Sequence, residues 1–181
     1  PTLNNFRDLF ILMNTSWVPF SRYIFNTVLI SVAGTFGHLL LASMCAYALS
    51  KIKFPGGRAI FKTIETSLMF HSTVTTVCSF FIMAMFRWID TYWAVIVPAW
   101  CTTLGLYLMK QFMDTNVHDT VLESSRLDGP GEFRTFWVIA MPMVKPAWLT
   151  LIVYSFQGLW NAGSSIYIQS EQFKSFNYAI Q

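Results

Sequence analysis

The chain has 181 residues and a formal net charge of only +3. It is 54% hydrophobic, 17% aromatic and 12% charged, with a mean hydropathy of +0.47, which lies outside the range of ordinary soluble domains. The bilayer is the expected solvent, and nucleic acid is not an expected partner.

Residues 1–25 carry no basic region followed by a clean apolar run, so no signal peptide is expected there. Insertion would fall to internal helices or to sequence beyond this chain. Spans of roughly 20 or more residues, the length that crosses about 30 Å of hydrocarbon, are drawn at 26–49, 60–86, 92–112 and 147–168. The first and third hold no Asp, Glu, Lys or Arg until Lys110, and the second has Lys62 and Glu65 near one end. The predicted fold is all-α, a polytopic membrane helix bundle. Between the first two spans, Pro55, Gly56 and Gly57 predict a tight turn. Ala33 and Gly37 form a small-xxx-small pair suited to close helix packing. Cys45, Cys78 and Cys101 sit inside apolar segments without metal-ligand spacing and read as small core residues, with no disulfide or zinc expected.

Basic residues set the orientation, because Lys and Arg accumulate in short cytoplasmic loops. Lys51, Lys53, Arg58 and Lys62 put the loop around 50–62 inside, and Lys110, Arg126, Arg134 and Lys145 do the same for 110–146. The connection 87–91 and the terminal stretches 1–25 and 169–181 then fall outside.

Within the second inner loop, 113–146, two short helices are predicted. Asn116 caps the first, with Asp119 at N3 and Gly129 ending it in a left-handed conformation. The second brings Phe133, Phe136, Trp137, Ala140 and Met141 to one face. Pro142 and Pro146 bracket a break, and Pro146 suits the first turn of the next span.

In this loop Glu123, Gly129, Ile139 and Pro142 fall at the spacing Glu-Ala-Ala, three residues, Gly, nine residues, Ile, one residue, Leu-Pro. Ser124 and Ser125 replace the two alanines, Met141 the leucine, and Pro130 follows the glycine. The pattern resembles the cytoplasmic EAA loop of binding-protein-dependent ABC importer permeases, in the carbohydrate-uptake branch of the maltose type. Four further segments carry the resemblance along the chain: Phe25-Asn26-Thr27, Ala46-Tyr47-Ala48-Leu49 before Lys53-Phe54-Pro55-Gly56, Asp90-Thr91-Tyr92-Trp93-Ala94, and Gly158-Leu159-Trp160-Asn161.

The resemblance implies one transmembrane domain over 1–181, an internal fragment of a six-helix subunit without its first and last helices. It implies a multi-pass protein of the plasma or inner membrane, surrounded by lipid. Its implied partners are ABC ATPase subunits, a second permease subunit and an extracellular or periplasmic solute-binding protein that delivers a carbohydrate. Glu123, Ser124, Ser125, Asp128 and Gly129 inherit the ATPase-coupling role by position. Gly129 would allow close backbone approach, while Pro130 removes one N–H beside that turn.

Gln157, Trp160 and Asn161 put amide and aromatic groups inside a span, where such groups face protein or a water-filled path. Stacking and amide hydrogen bonds suit a sugar path, and interhelical packing and hydrogen bonding account for the same residues. Ala162-Gly163-Ser164 departs from the acidic or aromatic residues often found after this motif. His38, Glu65 and His71 admit a proton-relay reading or plain structural roles. A non-sugar solute, or a secondary transporter or channel fragment, remain alternatives. No Gly-x-Ser-x-Gly, His-Glu-x-x-His or P-loop motif occurs, so neither enzymatic activity, a cofactor nor a metal is expected, and nucleotide would bind a different chain.

Overall fold

A computed structural model describes residues 19–70, 72–127, 131–162 and 167–177 of the chain. Its elements are α1 (Phe20–Lys51), α2 (Gly57–Ser67), α3 (Ser72–Met85), α4 (Trp93–Trp100), α5 (Thr103–Asn116), α6 (Asp119–Leu127), α7 (Glu132–Thr135), a π-helical turn (Phe136–Ala140), α8 (Met141–Met143), α9 (Lys145–Asn161) and a 3₁₀ turn (Glu171–Phe173). Two of these helical stretches, Ser21–Lys51 and Trp93–Asn116, are long and apolar enough to cross a bilayer, or three if the bent pair Glu132–Met143 and Lys145–Asn161 counts as one. Hydropathy alone draws four.

The differences lie at 147–168, where α9 ends at Asn161 and counts as a span only together with the bent segment before it, and at 60–86. The latter stretch is divided by a turn at Leu68–Phe70 into the amphipathic α2, which has no buried residue, and the apolar α3 of 14 residues. At 1.5 Å per residue α3 reaches about 21 Å, short of the hydrocarbon thickness. Phe61 of α2 stacks on Tyr107 of α5 with ring centroids 5.9 Å apart, and Lys110 sits 4.0 Å above the Phe61 ring. A cation–π contact therefore pins α2 to α5.

α1 is the central element, with 32 residues that extend about 48 Å. Its amphipathicity is inverted relative to a soluble helix: Asn26, Thr27, Ser31, Thr35, His38 and Ser43 are buried, whereas Phe25, Val28, Val32 and Phe36 are exposed. Small and polar groups turned toward neighbouring helices and apolar ones turned outward are the arrangement expected in lipid. Close approach follows from the glycines. A methyl group on Gly37 would overlap the Trp100 indole, and Trp100 Nε1 donates to the Ala33 carbonyl at 3.0 Å, so the expected small pair receives a tryptophan side chain.

The core sits at one end of the bundle. Tyr47 of α1, Met109 and Met113 of α5, Leu122 of α6, Phe136 in the π turn and Leu151 of α9 converge there. The three cysteines lie outside it: Cys45, Cys78 and Cys101 are all exposed, because the apolar faces carrying them point away from the protein core.

Candidate functional site at the loop end of the bundle

Helix α5 does not stop at the end of its apolar segment. It continues to Asn116, whose Nδ2 donates back to the Phe112 carbonyl at 2.9 Å, so Asn116 closes α5 and does not cap α6. Val117, the C-cap residue of α5, is buried and turns the chain into α6, whose first residue is Asp119. Acid at a helix N-terminus is favourable there.

Along α6, Leu122 and Ser125 are buried and hold the helix to the core. Glu123 and Ser124 are exposed, with Ser124 Oγ donating to the Val121 carbonyl at 2.9 Å. Val121 is 38% exposed. The loop helix thus offers an outward surface made of one carboxylate, one hydroxyl and one apolar side chain. Asp128 and Gly129 lie outside the described residues, as does the expected left-handed end of this helix.

A polar network ties this helix to the last turn of α1. Lys51 Nζ lies 2.9 Å from Asp119 Oδ1, with the lysine side chain only 6% exposed and the aspartate 71%. Tyr47 Oη donates to Glu132 Oε2 at 3.0 Å, and Ser50 Oγ donates to Asp114 Oδ1. Lys110 pairs with the same Asp114 at 2.6 Å. Lys51, Asp119, Leu122, Glu123 and Glu132 line one polar cavity of about 330 Å³, so Glu123 faces solvent beside a lysine already held by another carboxylate. Sequence reasoning reads Lys51 only as a topology signal and Tyr47 only as part of a resembling segment, and it misses Asp114 and Glu132. A phenol near the end of an apolar span is the available cue, since a buried tyrosine hydroxyl requires a partner.

The second loop helix departs from a regular 3.6 period. Phe136, Ala140 and Met141 are buried as expected, but Phe133 is 65% and Trp137 43% exposed. The π turn at 136–140 keeps Phe136 and Ala140 together on the buried side through its wider turn, while Phe133, which precedes it, and Trp137 lie off that side. The chain then bends by 82° before α9, where Pro146 occupies the first turn as its missing N–H allows.

The other candidate residues lie on α9. Gln157 and Asn161 share a cavity of about 450 Å³ with Ala99, Thr102 and Tyr154. Trp160 is not among its walls and stacks on Phe156, centroids 5.5 Å apart at 25°. The structure therefore separates the indole from the two amides. Of the proton-relay candidates, His38 is buried on α1, Glu65 is exposed on α2, and His71 lies outside the described residues.

At the opposite end, the segment 167–177 is clasped onto α1 and the 88–92 turn. Asp90, at φ 66, donates its N–H to the Tyr167 carbonyl at 2.8 Å. Its carboxylate accepts the amides of Gln169 at 3.2 Å and Ser170 at 2.7 Å and the Ser170 hydroxyl. The Ser170 hydroxyl, then its amide, holds the Asp90 carboxyl below its ordinary value. Asn26 is fully buried: its Nδ2 donates to Gln172 O at 2.8 Å and Lys174 O at 3.1 Å, and its Oδ1 accepts from Tyr92 Oη at 2.8 Å.

Comparisons with known proteins agree with this architecture. The chain is 30% identical over 142 residues to the diacetylchitobiose uptake system permease protein NgcG of Streptomyces coelicolor, covering 77% of this chain and 47% of that protein. It is 30% identical over 143 residues to the sn-glycerol-3-phosphate transport system permease protein UgpE of Yersinia enterocolitica, covering 79% and 50%. The chain thus spans about half the length of these relatives. Its fold is that of a chain in the crystal structure of a bacterial ABC transporter involved in the import of the acidic polysaccharide alginate, with a TM-score of 0.79 at 22% identity over 89% of this chain and 56% of that one. Residues 9–168 match a family model, and the chain belongs to that family, the binding-protein-dependent transport system inner membrane component.

Proposed function

We propose that the chain is part of the transmembrane permease subunit of an ATP-driven importer, taking up a carbohydrate or related polyol handed over by an external binding protein. ATP hydrolysis takes place on partner ATPase subunits that grip the loop helix α6, and a second permease subunit completes the path. The observation that carries this reading is the two-sided character of α6: Leu122 and Ser125 fix it to the bundle while Glu123, Ser124 and Val121 are left outward. A helix locked to the membrane helices on one side transmits a push received on the other. Asp128 and Gly129 join Glu123 and Ser124 in this role by their position in the EAA-like pattern, and Ser125, which is buried, serves it from the bundle side.

A sugar-like solute is supported by the names of the relatives, one a diacetylchitobiose and one a glycerol-3-phosphate system. Gln157 and Asn161 supply amides to a cavity beside α4 and α5, the hydrogen-bonding chemistry that hydroxyl-rich solutes require.

The test is Glu123→Lys in the complete subunit with its ATPase. A charge-assisted contact of about 1.5 to 3 kcal/mol corresponds to roughly a ten- to hundredfold loss of docking. Co-purification of the ATPase and ATP-dependent sugar uptake in vesicles should both fall while membrane insertion persists. Normal ATPase binding and uptake would remove the coupling role.

A further inference from the structure

Midway along α1 a reciprocal pair of hydrogen bonds joins two helices at a flaw in one of them. The span Trp93–Asn116 contains Pro98, which removes a helical N–H. It is interrupted at Cys101 (φ −95, ψ 24) and Thr102, whose extended backbone (ψ 116) breaks the ladder between α4 and α5. The Trp100 carbonyl at this break is 3.2 Å from His38 Nδ1. Since a carbonyl only accepts, Nδ1 carries the proton. In return the Trp100 indole N–H donates to the Ala33 carbonyl at 3.0 Å.

Two glycines make the fit. A methyl group on Gly37 would overlap the indole, and one on Gly105, in the first turn of α5, would overlap His38 at Nε2. His38 Nε2 is buried and has no hydrogen-bond partner among the described residues. An unsatisfied buried acceptor is unfavourable, so packing alone is better served by leucine at this place. What His38 supplies and leucine does not is a donor aimed at the backbone of the break. From that point α5 runs without interruption to the turn that starts α6.

We infer that His38 is a positioning residue, whose bond to Trp100 holds the Cys101–Thr102 break as the pivot about which α5 carries the movement of α6 into the membrane. This rests on α6 being the ATPase-docking helix. α1 and α4 stay fixed, α5 swings as the lever and breaks the Ser50–Asp114 and Lys51–Asp119 bonds at its far end, and the glycine at 105 lets the lever turn against the imidazole.

The experiment uses the complete complex with Cys45, Cys78 and Cys101 replaced by serine. Spin labels are attached to cysteines introduced pairwise at Met44 and Gln111, spanning α1 to α5, and at Val28 and Trp93, spanning α1 to α4. Between the nucleotide-free and ATP-trapped states the first distance should change and the second should not. His38→Leu should collapse the two-valued first distance into one distribution, and His38→Asn, which keeps a donor at the Nδ1 position, should restore it.

A second arm does not depend on the leucine variant folding. Gly105→Ala should lower uptake about tenfold or more, and the same substitution in the His38→Asn background should recover most of it, since contacting residues are non-additive. Asparagine has no atoms in the places of Nε2 and Cε1, and the histidine Cδ2, whose place its amide takes, is 3.3 Å from the new methyl group. Equal movement of both label pairs, or no recovery in the double variant, overturns the pivot. ATPase co-purification, measured on the same preparations, reports the docking reading separately.

Discussion

Leu122→Ala is the substitution that most directly asks whether α6 is held by its buried side or by its charges. Leu122 is 2% exposed and belongs to the cluster joining α1, α5 and the π turn. Truncating such a leucine costs about 2 to 5 kcal/mol, transfer and cavity terms together. The competing attachment is the Lys51–Asp119 ion pair, but Asp119 is 71% exposed, and pairs with a solvated partner contribute about 0.2 to 1 kcal/mol. Amide hydrogen exchange of 119–127 in the reconstituted complex reads both. At about 1.4 kcal/mol per decade, Leu122→Ala should accelerate exchange by about thirtyfold or more, whereas Asp119→Asn should stay within about fivefold. Glu123 remains in place in both variants, so any accompanying loss of ATPase docking would trace to the loosened helix. An Asp119→Asn effect equal to or larger than that of Leu122→Ala would refute the ranking and make the polar network the principal anchor.

The clasp at the other end gives a pH prediction. Because hydrogen bonds from Ser170 lower the Asp90 carboxyl from its ordinary value of 3.8, the clasp is favoured above that value and lost as pH falls through the lowered one. The Tm difference between the unmodified protein and Asp90→Asn should therefore be flat from about pH 8 to about pH 5 and shrink only in stronger acid; a difference that vanishes near neutrality would contradict this. For topology, cysteines at Arg58 and Gly131 should resist membrane-impermeant thiol reagents in intact cells and one at Gln169 should react, and labelling of all three from outside would reverse the orientation. For the solute path, Gln157→Ala and Asn161→Ala should each lower sugar uptake, whereas Trp160→Ala, which removes a ring stacked on Phe156 away from the cavity, should leave it nearly unchanged. An uptake defect confined to Trp160→Ala would return the path to the indole.

What the sequence makes legible is whatever depends on local composition. The uncharged run at 26–49 becomes α1, the 92–112 run becomes most of α4 and α5, and a helix and a proline-marked bend appear within 113–146. Hydropathy averaged over 60–86 hides the boundary between α2 and α3, because the amphipathic α2 owes its position to Phe61 meeting Tyr107, a contact no window can contain. The π turn escapes periodicity for a related reason: an inserted residue leaves composition unchanged and alters only the phase of the residues downstream. Asn116 looks like a cap by residue type, yet burial of Val117 sets where α5 ends. Tyr47 and Glu132 are 85 residues apart, so their bond exists only once the helices pack.

Three of the four segments that carry the family resemblance beyond the loop prove to be attachment points of α1. Asn26 and Thr27 hold the 167–177 segment at one end, with Phe176 N–H donating to Thr27 Oγ1 at 2.8 Å. Asp90 and Tyr92 complete that clasp from the facing turn, and Tyr47 secures Glu132 at the other end. A helix pinned at both ends by side chains that are themselves buried or multiply bonded is poorly suited to bend. α5 differs: its polar tie to α1 is the exposed Ser50–Asp114 bond, it begins at a broken ladder, and it leads into the helix that offers Glu123 outward. Rigidity in α1 and a discontinuity in its neighbour are complementary requirements of a lever, since force applied at α6 produces rotation only if something beside it does not move. The buried polar stripe of α1, which hydropathy counts merely as a weakening of a membrane span, is the part of the sequence that supplies that fixed frame.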